Sequence, residues 1–228
     1  MHLSAKAHQR IARVLAAWCL VFLAVLAGKP SFTNASVPVR GVADPVVALQ
    51  MARDASEVEA ILGDAPSADR EVMRVKQYID FALIGGYFAL AMVIAAALIR
   101  IRYRSTAILI GVLAILAAVH DVRENLLTLR IVNLGLSRLP PYILDELRLM
   151  SVTKWIFLAV AIALLSAITV RRKQWYLRAA GILGFIGVAL TIGGLFYNSI
   201  LVWGGLFMFF GLLLTAATLK VLTHESAS

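Results

Sequence analysis

Cysteine is almost missing from this chain: Cys19 is the only one in 228 residues. An intrachain disulfide, a Cys-x-x-Cys redox pair and a cysteine-rich metal site are therefore excluded. Trp18 stands where a lipid-anchored cysteine would need a small neighbour. Histidine is as scarce in the long apolar blocks, where His120 stands alone. That excludes haem held by paired histidines within the chain, and histidine-rich di-iron sites. None of the six prolines falls inside an apolar block, so the sequence carries no sign of the broken helices that many secondary transporters use. No Gly-x-Ser-x-Gly, His-Glu-x-x-His or phosphate-binding glycine loop occurs, and no internal repeat.

Acidic residues are also few, 13 against 22 Lys and Arg, for a net charge of +9. The excess is not spread evenly. Lys6, Arg10 and Arg13 precede the first apolar block, Arg100, Arg102 and Arg104 follow the second, and Arg171, Arg172, Lys173 and Arg178 follow the fourth. Positive charge confined to alternate loops is the pattern of membrane topology, with both termini cytoplasmic. The basicity is accordingly read as contact with anionic membrane lipid and not as nucleic acid binding.

What is abundant is apolar sequence, 61% of residues, gathered into long and mostly uncharged blocks that a soluble core would interrupt. The fold class expected is all-α: a polytopic bundle of about six spans with a small extracytoplasmic helical cap. Residues 1–28 form a first membrane helix behind a basic start, or a signal peptide cleaved after Ala27. Residues 29–76 form the cap and residues 77–228 the membrane bundle.

Within the cap, Asp44-Pro45 starts one helix, Ser56 and Glu59 form a capping box for a second that Gly63 ends, and Pro66-Ser67 start a third that runs toward the membrane. The cap's apolar inventory is too small to fold alone, so it is expected to pack on the bundle. Asn34-Ala35-Ser36 matches a glycosylation acceptor. Spans are expected at about Phe81 to Ile99, Thr106 to beyond Val119, Trp155 to Val170, Ala179 to Tyr197 and Ile200 to Ala217. An amphipathic interfacial segment, Leu136 to Ser151, leads into the fourth. The alanine-rich, short-looped style fits a bacterial inner membrane.

The stretch from Val119 to Thr128 breaks the apolar rule, carrying His120, Asp121, Arg123, Glu124 and Asn125 inside what reads as one membrane helix. Ionisable groups at that depth cost ~2.5 to 3.5 kcal/mol each on insertion scales, so such a cluster marks a candidate site. Asp121, Glu124, Asn125 and Thr128 follow i, i+3, i+4, i+7 and share one helix face. Counting inward from the basic loops at ~1.5 Å per residue puts Asp80, Asp121, Lys154 and Asn198 in the same outer layer of the bilayer.

The expected pocket therefore opens to the extracytoplasmic side and contains Asp80, Asp121, Glu124 and Asn125, with Arg123 and Lys154 as counter-ions and Tyr197 and Asn198 at its rim. Asp80, Asp121 and Glu124 are candidate oxygen ligands for a divalent cation, and His120 would make a mixed nitrogen and oxygen site.

Three functions fit these residues. The first is a pocket that binds or passes a cation, a proton or a polar head group. The second is a metal-dependent enzyme acting on a lipid-linked substrate. The third is a non-catalytic subunit or scaffold, whose charges form an internal ion-pair network: Asp80 or Asp121 with Arg123, and Glu124 with Lys154 or Arg130. Its partner would be a second copy of the chain or another membrane protein. Gly181, Gly184, Gly187 and Gly194, with Gly204, Gly205 and Gly211, put small residues on the last two helices, for close helix packing or to leave room for a lipid tail or pigment.

Overall fold

The computed structural model describes residues 4–28, 30–33, 39–101 and 103–224. The glycosylation acceptor Asn34-Ala35-Ser36 and the loop arginine Arg102 lie outside these residues. Every regular element among them is helical: α1 (Ala5–Ala27), α2 (Pro45–Gln50), α3 (Ala55–Leu62), α4 (Ala68–Ile99), α5 (Arg104–Asn133), α6 (Pro141–Thr169), α7 (Trp175–Phe196), α8 (Leu201–Ala217) and α9 (Leu219–His224). Helices α1 and α4–α8 are long and apolar enough to cross a membrane. The protein is a multi-pass integral membrane protein.

Helix ends follow local chemistry. Asp44 caps α2 by accepting from the Val47 amide at 3.0 Å, with Pro45 in the first turn, where its missing N–H costs nothing. Ser67 caps α4 by accepting from the Arg70 amide at 3.3 Å, and that helix runs unbroken from the cap into the bundle. The start of α3 differs from the expected Ser56 box. Asp54 is the cap, accepting from the Glu57 amide at 3.0 Å, and the Ser56 hydroxyl donates to Asp54. A carboxylate two residues upstream of Ser56 wins because it takes both donors at once. Gly63 ends α3 at φ 67°, a left-handed backbone that a side chain would strain.

The six long helices form a ring in the order α1, α4, α5, α6, α7, α8, closing back on α1. Their lengths are unequal. Helices α4, α5 and α6 have 32, 30 and 29 residues, or ~44–48 Å against a hydrocarbon core of ~30 Å. They therefore extend past the bilayer on one side and form a platform for the cap. The contact is a single apolar cluster: Leu49, Val58, Ile61 and Leu62 from the cap pack on Met73, Leu127, Ile131, Ile143, Leu144 and Leu147. This is why so few apolar residues suffice to fold the segment.

Polar staples complete the dock. Arg70, 2% exposed, donates through Nη1 to the carbonyls of Ile131, Val132 and Leu134 at 2.8–3.0 Å and through Nε to Gly63. It thereby satisfies carbonyls that the end of α5 leaves without helical partners. The Asp69 carboxylate accepts from the Thr33 amide and hydroxyl at 2.7 and 2.8 Å. The Leu136 and Ala65 amides, both donating to Asp64, hold its carboxyl below the usual range.

The glycines of the last two long helices serve close packing, as expected: Gly181 and Gly184 lie against α6, and Gly187, Gly194, Gly204 and Gly211 lie between α7 and α8. A Cβ on Gly187 would strike the Met208 backbone, and one on Gly211 would meet the Ala180 carbonyl oxygen at 3.0 Å. Gly205 serves a different neighbour, the ring of Trp155, 2.8 Å from where its Cβ would be. Because backbone cannot yield as a side-chain tip can, Gly187→Val is expected to cost about 1–3 kcal/mol or more. Thermal unfolding in detergent should show it, while the same change at open Gly85 should be near neutral.

Candidate functional site

The polar face of α5 turns inward. Asp121, Glu124, Asn125 and Thr128 are all buried, because the i, i+3, i+4, i+7 spacing directs them to one side of the helix. Facing them from α6 is Lys154, 5% exposed. Its Nζ donates to Asp121 Oδ1 at 2.8 Å and to Glu124 Oε1 at 2.8 Å, and lies 2.7 Å from Glu124 Oε2. The second Asp121 oxygen accepts from the Tyr87 hydroxyl of α4 at 2.8 Å. From the cap, Gln50 Nε2 donates to Glu124 Oε1 at 2.5 Å, while its Oε1 accepts from the Ser151 hydroxyl at 3.2 Å.

Such a network is stable away from water only when its members are hydrogen-bonded, since desolvating each charge costs several kcal/mol. Depth lowers the demand. Lys154 lies fifteen residues before the end of α6, and Asp121 seventeen after the start of α5, ~22 and ~26 Å from the far face by helix rise. The network thus sits near the cap-side boundary of the hydrocarbon core.

Asp80 stands apart from the ion pairs. Its Oδ2 accepts from Asn125 Nδ2 at 2.8 Å, and no ion pair reaches it among the described residues. It lines a cavity of about 590 Å³ that runs between α1, α4, α5, α6 and α8. The polar end is made by Gln77, Asp80, Tyr87, Asp121, Asn125 and Lys154, with Ser31, Asp44, Gln50 and Lys76 toward the cap, and the wall on the other side of it is apolar down to Ile162 and Leu212. Two buried polar atoms on this wall, Gln77 Oε1 and Trp155 Nε1, have no hydrogen-bond partner among the described residues. Volume and composition match small-molecule sites, which are mostly apolar with a few convergent polar groups.

Lys76, also on the wall, is engaged elsewhere. Its ammonium donates to the Leu26 carbonyl, lies 3.4 Å from that of Gly28 and rests 5.8 Å from the centre of the Phe32 ring. It caps the carboxyl end of α1.

Several expected members lie elsewhere. Arg123 projects outward and pairs with Glu146 at 2.6 Å, because two residues past Asp121 is 200° around the helix. His120 bonds its own helix, Nδ1 to the Leu116 carbonyl at 2.8 Å, and its ring meets Phe157 edge-on at 5.2 Å. Asn198 is in the turn between α7 and α8 and is not on the cavity wall. Neither is Tyr197, 73% exposed.

The divalent cation imagined on Asp80, Asp121 and Glu124 meets an occupied position, with the Lys154 ammonium bonded to two of the three carboxylates. No group of three His, Cys, Asp or Glu suited to a metal ion occurs among the described residues. Nor does the pocket simply face outward: cap residues Phe32, Val46, Val47 and Gln50 line that end.

The structure adds Gln50, Gln77, Tyr87, Ser151 and Trp155 to the site. Tyr87 had a sequence signal, being the only polar side chain in the apolar run Phe81 to Ile99 and seven residues from Asp80. Gln50 had none, since its partner is 74 residues away. No protein-family model, no curated protein and no solved structure matches this chain.

Proposed function

We propose that the protein binds, inside the membrane, the positively charged or hydrogen-donating head group of an amphiphile, with the head at Asp80 and the tail along the apolar wall. The observation that carries this reading is the contrast among the three carboxylates. Asp121 and Glu124 are bonded to Lys154, whereas Asp80 faces a cavity with one hydrogen bond and no counter-ion among the described residues. A lone carboxylate in a low-dielectric pocket is costly, and a cation or donor set beside it recovers that cost.

The test is calorimetric binding of dodecylamine to the purified full chain in a non-ionic detergent. Asp80→Asn is expected to weaken binding at least tenfold, about 1.4 kcal/mol, with little change in thermal stability. Equal binding by wild type and variant would overturn the reading.

A second reading takes the charges as the fastening that holds the cap on the bundle, and Gln50, which joins α2 to Glu124, favours it. The two divide the residues cleanly: Lys154, Asp121, Glu124 and Gln50 for fastening, Asp80 for binding. Gln50→Leu should then loosen the cap and leave the Asp80 effect intact.

A further inference from the structure

We propose that the ligand is a long-chain amphiphile with a single cationic head, resident in the leaflet on the cap side, which reaches the pocket sideways between the cap-side halves of α1 and α8. This deepens the head-group reading and rests on it.

The path follows from where the helices are held. The cap end of the cavity is lined by Phe32, Val46, Val47 and Gln50, and Lys76 fixes the end of α1 beneath Phe32. A solute arriving from water meets that cover first. The two sides of α1 are held very differently. Against α4 it is pinned in mid-membrane: Trp18 Nε1 donates to the Ala82 carbonyl at 3.0 Å, and the Trp18 ring lies where Gly86 has no side chain.

Toward α8 and α9, every described hydrogen bond is at the opposite end from the cap. Gln9 Nε2 donates to the carbonyls of Ala217 and Ala216 at 2.6 and 3.3 Å, Arg13 donates to Ala217 at 3.3 Å, and the Lys220 amide donates to Gln9. Nearer the cap, α1 contributes Leu23 and Leu26 to the cavity wall, and α8 contributes Val202, Leu206 and Phe209. That seam is apolar on both sides. Parting it breaks no described hydrogen bond and exposes surface that lipid tails cover as well as protein does.

The head group follows from charge and order. Among the described residues, the carboxylates of Asp80, Asp121 and Glu124 have one ammonium between them, Lys154, because Lys76 is committed to carbonyl oxygens. A cation is therefore wanted at Asp80. A zwitterionic phospholipid carries its phosphate between tails and amine, which would set the phosphate at the depth of the carboxylates and the amine beyond them. A head that is one cation attached directly to the chain avoids that repulsion. The tail has room: Val202 to Leu212 is ten residues of α8 on one wall, ~15 Å of depth.

The experiment uses the full chain in liposomes and a twelve-carbon primary amine with a diazirine at its tail. Leu23→Cys and Leu206→Cys are introduced in a Cys19→Ala background and joined by a cleavable bis-maleimide. Joining them is expected to slow photolabelling at least tenfold, and cleaving the linker to restore it. Excess dodecylamine should compete, and excess dodecylphosphocholine should not.

Unchanged labelling of the joined protein would overturn the lateral path, and equal competition by dodecylphosphocholine would overturn the single-cation head. The head-group reading would fail separately, if Asp80→Asn labelled as wild type does. Should the double-cysteine protein not label even before joining, Leu20→Trp in the natural background, on the lipid side of the same seam beside Phe207 and off the cavity wall, gives the same test by bulk. Slower labelling at unchanged final extent supports the seam, and an unchanged rate sinks it.

Discussion

Lys154→Met should cost the protein about 3–5 kcal/mol of stability, the penalty for leaving charges buried without a partner, and should be the most damaging single change at the site. Asp121 and Glu124 both depend on this ammonium, and Glu124 is 1% exposed. Removing it strands two buried carboxylates without a counter-ion among the described residues. Adding Asp121→Asn and Glu124→Gln to Lys154→Met should recover much of the loss, since a neutral, hydrogen-bonded group replaces each stranded charge.

Thermal unfolding of the single and triple variants in detergent decides the matter; a triple variant no better than Lys154→Met would show that the charges do not act as one unit. By the same logic, Asp121→Asn with Glu124→Gln alone should destabilise, because Lys154 is then the uncompensated charge. The carboxylate expected to carry binding while leaving the fold intact is Asp80.

The second large effect is at Arg70. Hydrogen bonds from a charged donor are worth about 1.5–3 kcal/mol each, and Arg70 makes four, to Gly63, Ile131, Val132 and Leu134. Arg70→Met should therefore lose at least about 3 kcal/mol locally, since it leaves the carbonyls at the end of α5 unmet as well as removing the donors. Arg70→Lys should rescue little, because a single ammonium cannot reach the same fork of acceptors. The readout is hydrogen exchange at the end of α5 together with protease cleavage in residues 39–66. Protection equal to wild type in Arg70→Met would show that the apolar cluster alone holds the cap.

The six spans were legible because bilayer thickness forces long uncharged runs, and the starts of α2 and α4 because Asp44, Pro45 and Ser67 carry their capping chemistry locally. The inward face of α5 was legible from periodicity, and the shared depth of Asp80, Asp121 and Lys154 from counting along separate helices. The same counting failed for Asn198, since depth says nothing of position around the ring. Arg123 and Lys154 looked alike as counter-ions in sequence; their angular positions send one to Glu146 outside and the other to the interior. The cavity itself was not legible, being the space between α1, α4, α5, α6 and α8, which only the packing of the bundle encloses. Gln50 could not be found by spacing either, because tertiary docking alone brings a cap side chain to Glu124.

That docking also has a consequence in time. Gln50 needs Ser151 and Glu124, and the apolar cap residues need Leu144 and Leu147. Ser151 follows Gln50 by 101 residues, which at a synthesis rate of about 5–20 residues per second is roughly 5–20 s. Through that interval the buried apolar residues of the cap, Leu49, Val58, Ile61 and Leu62 among them, lack the part of their platform that Ile143, Leu144 and Leu147 supply. Assembly of this protein therefore depends on whatever shields a short amphipathic segment during translation, and a truncation before Pro141 should be cleared by quality-control proteases, although its first three membrane helices are complete.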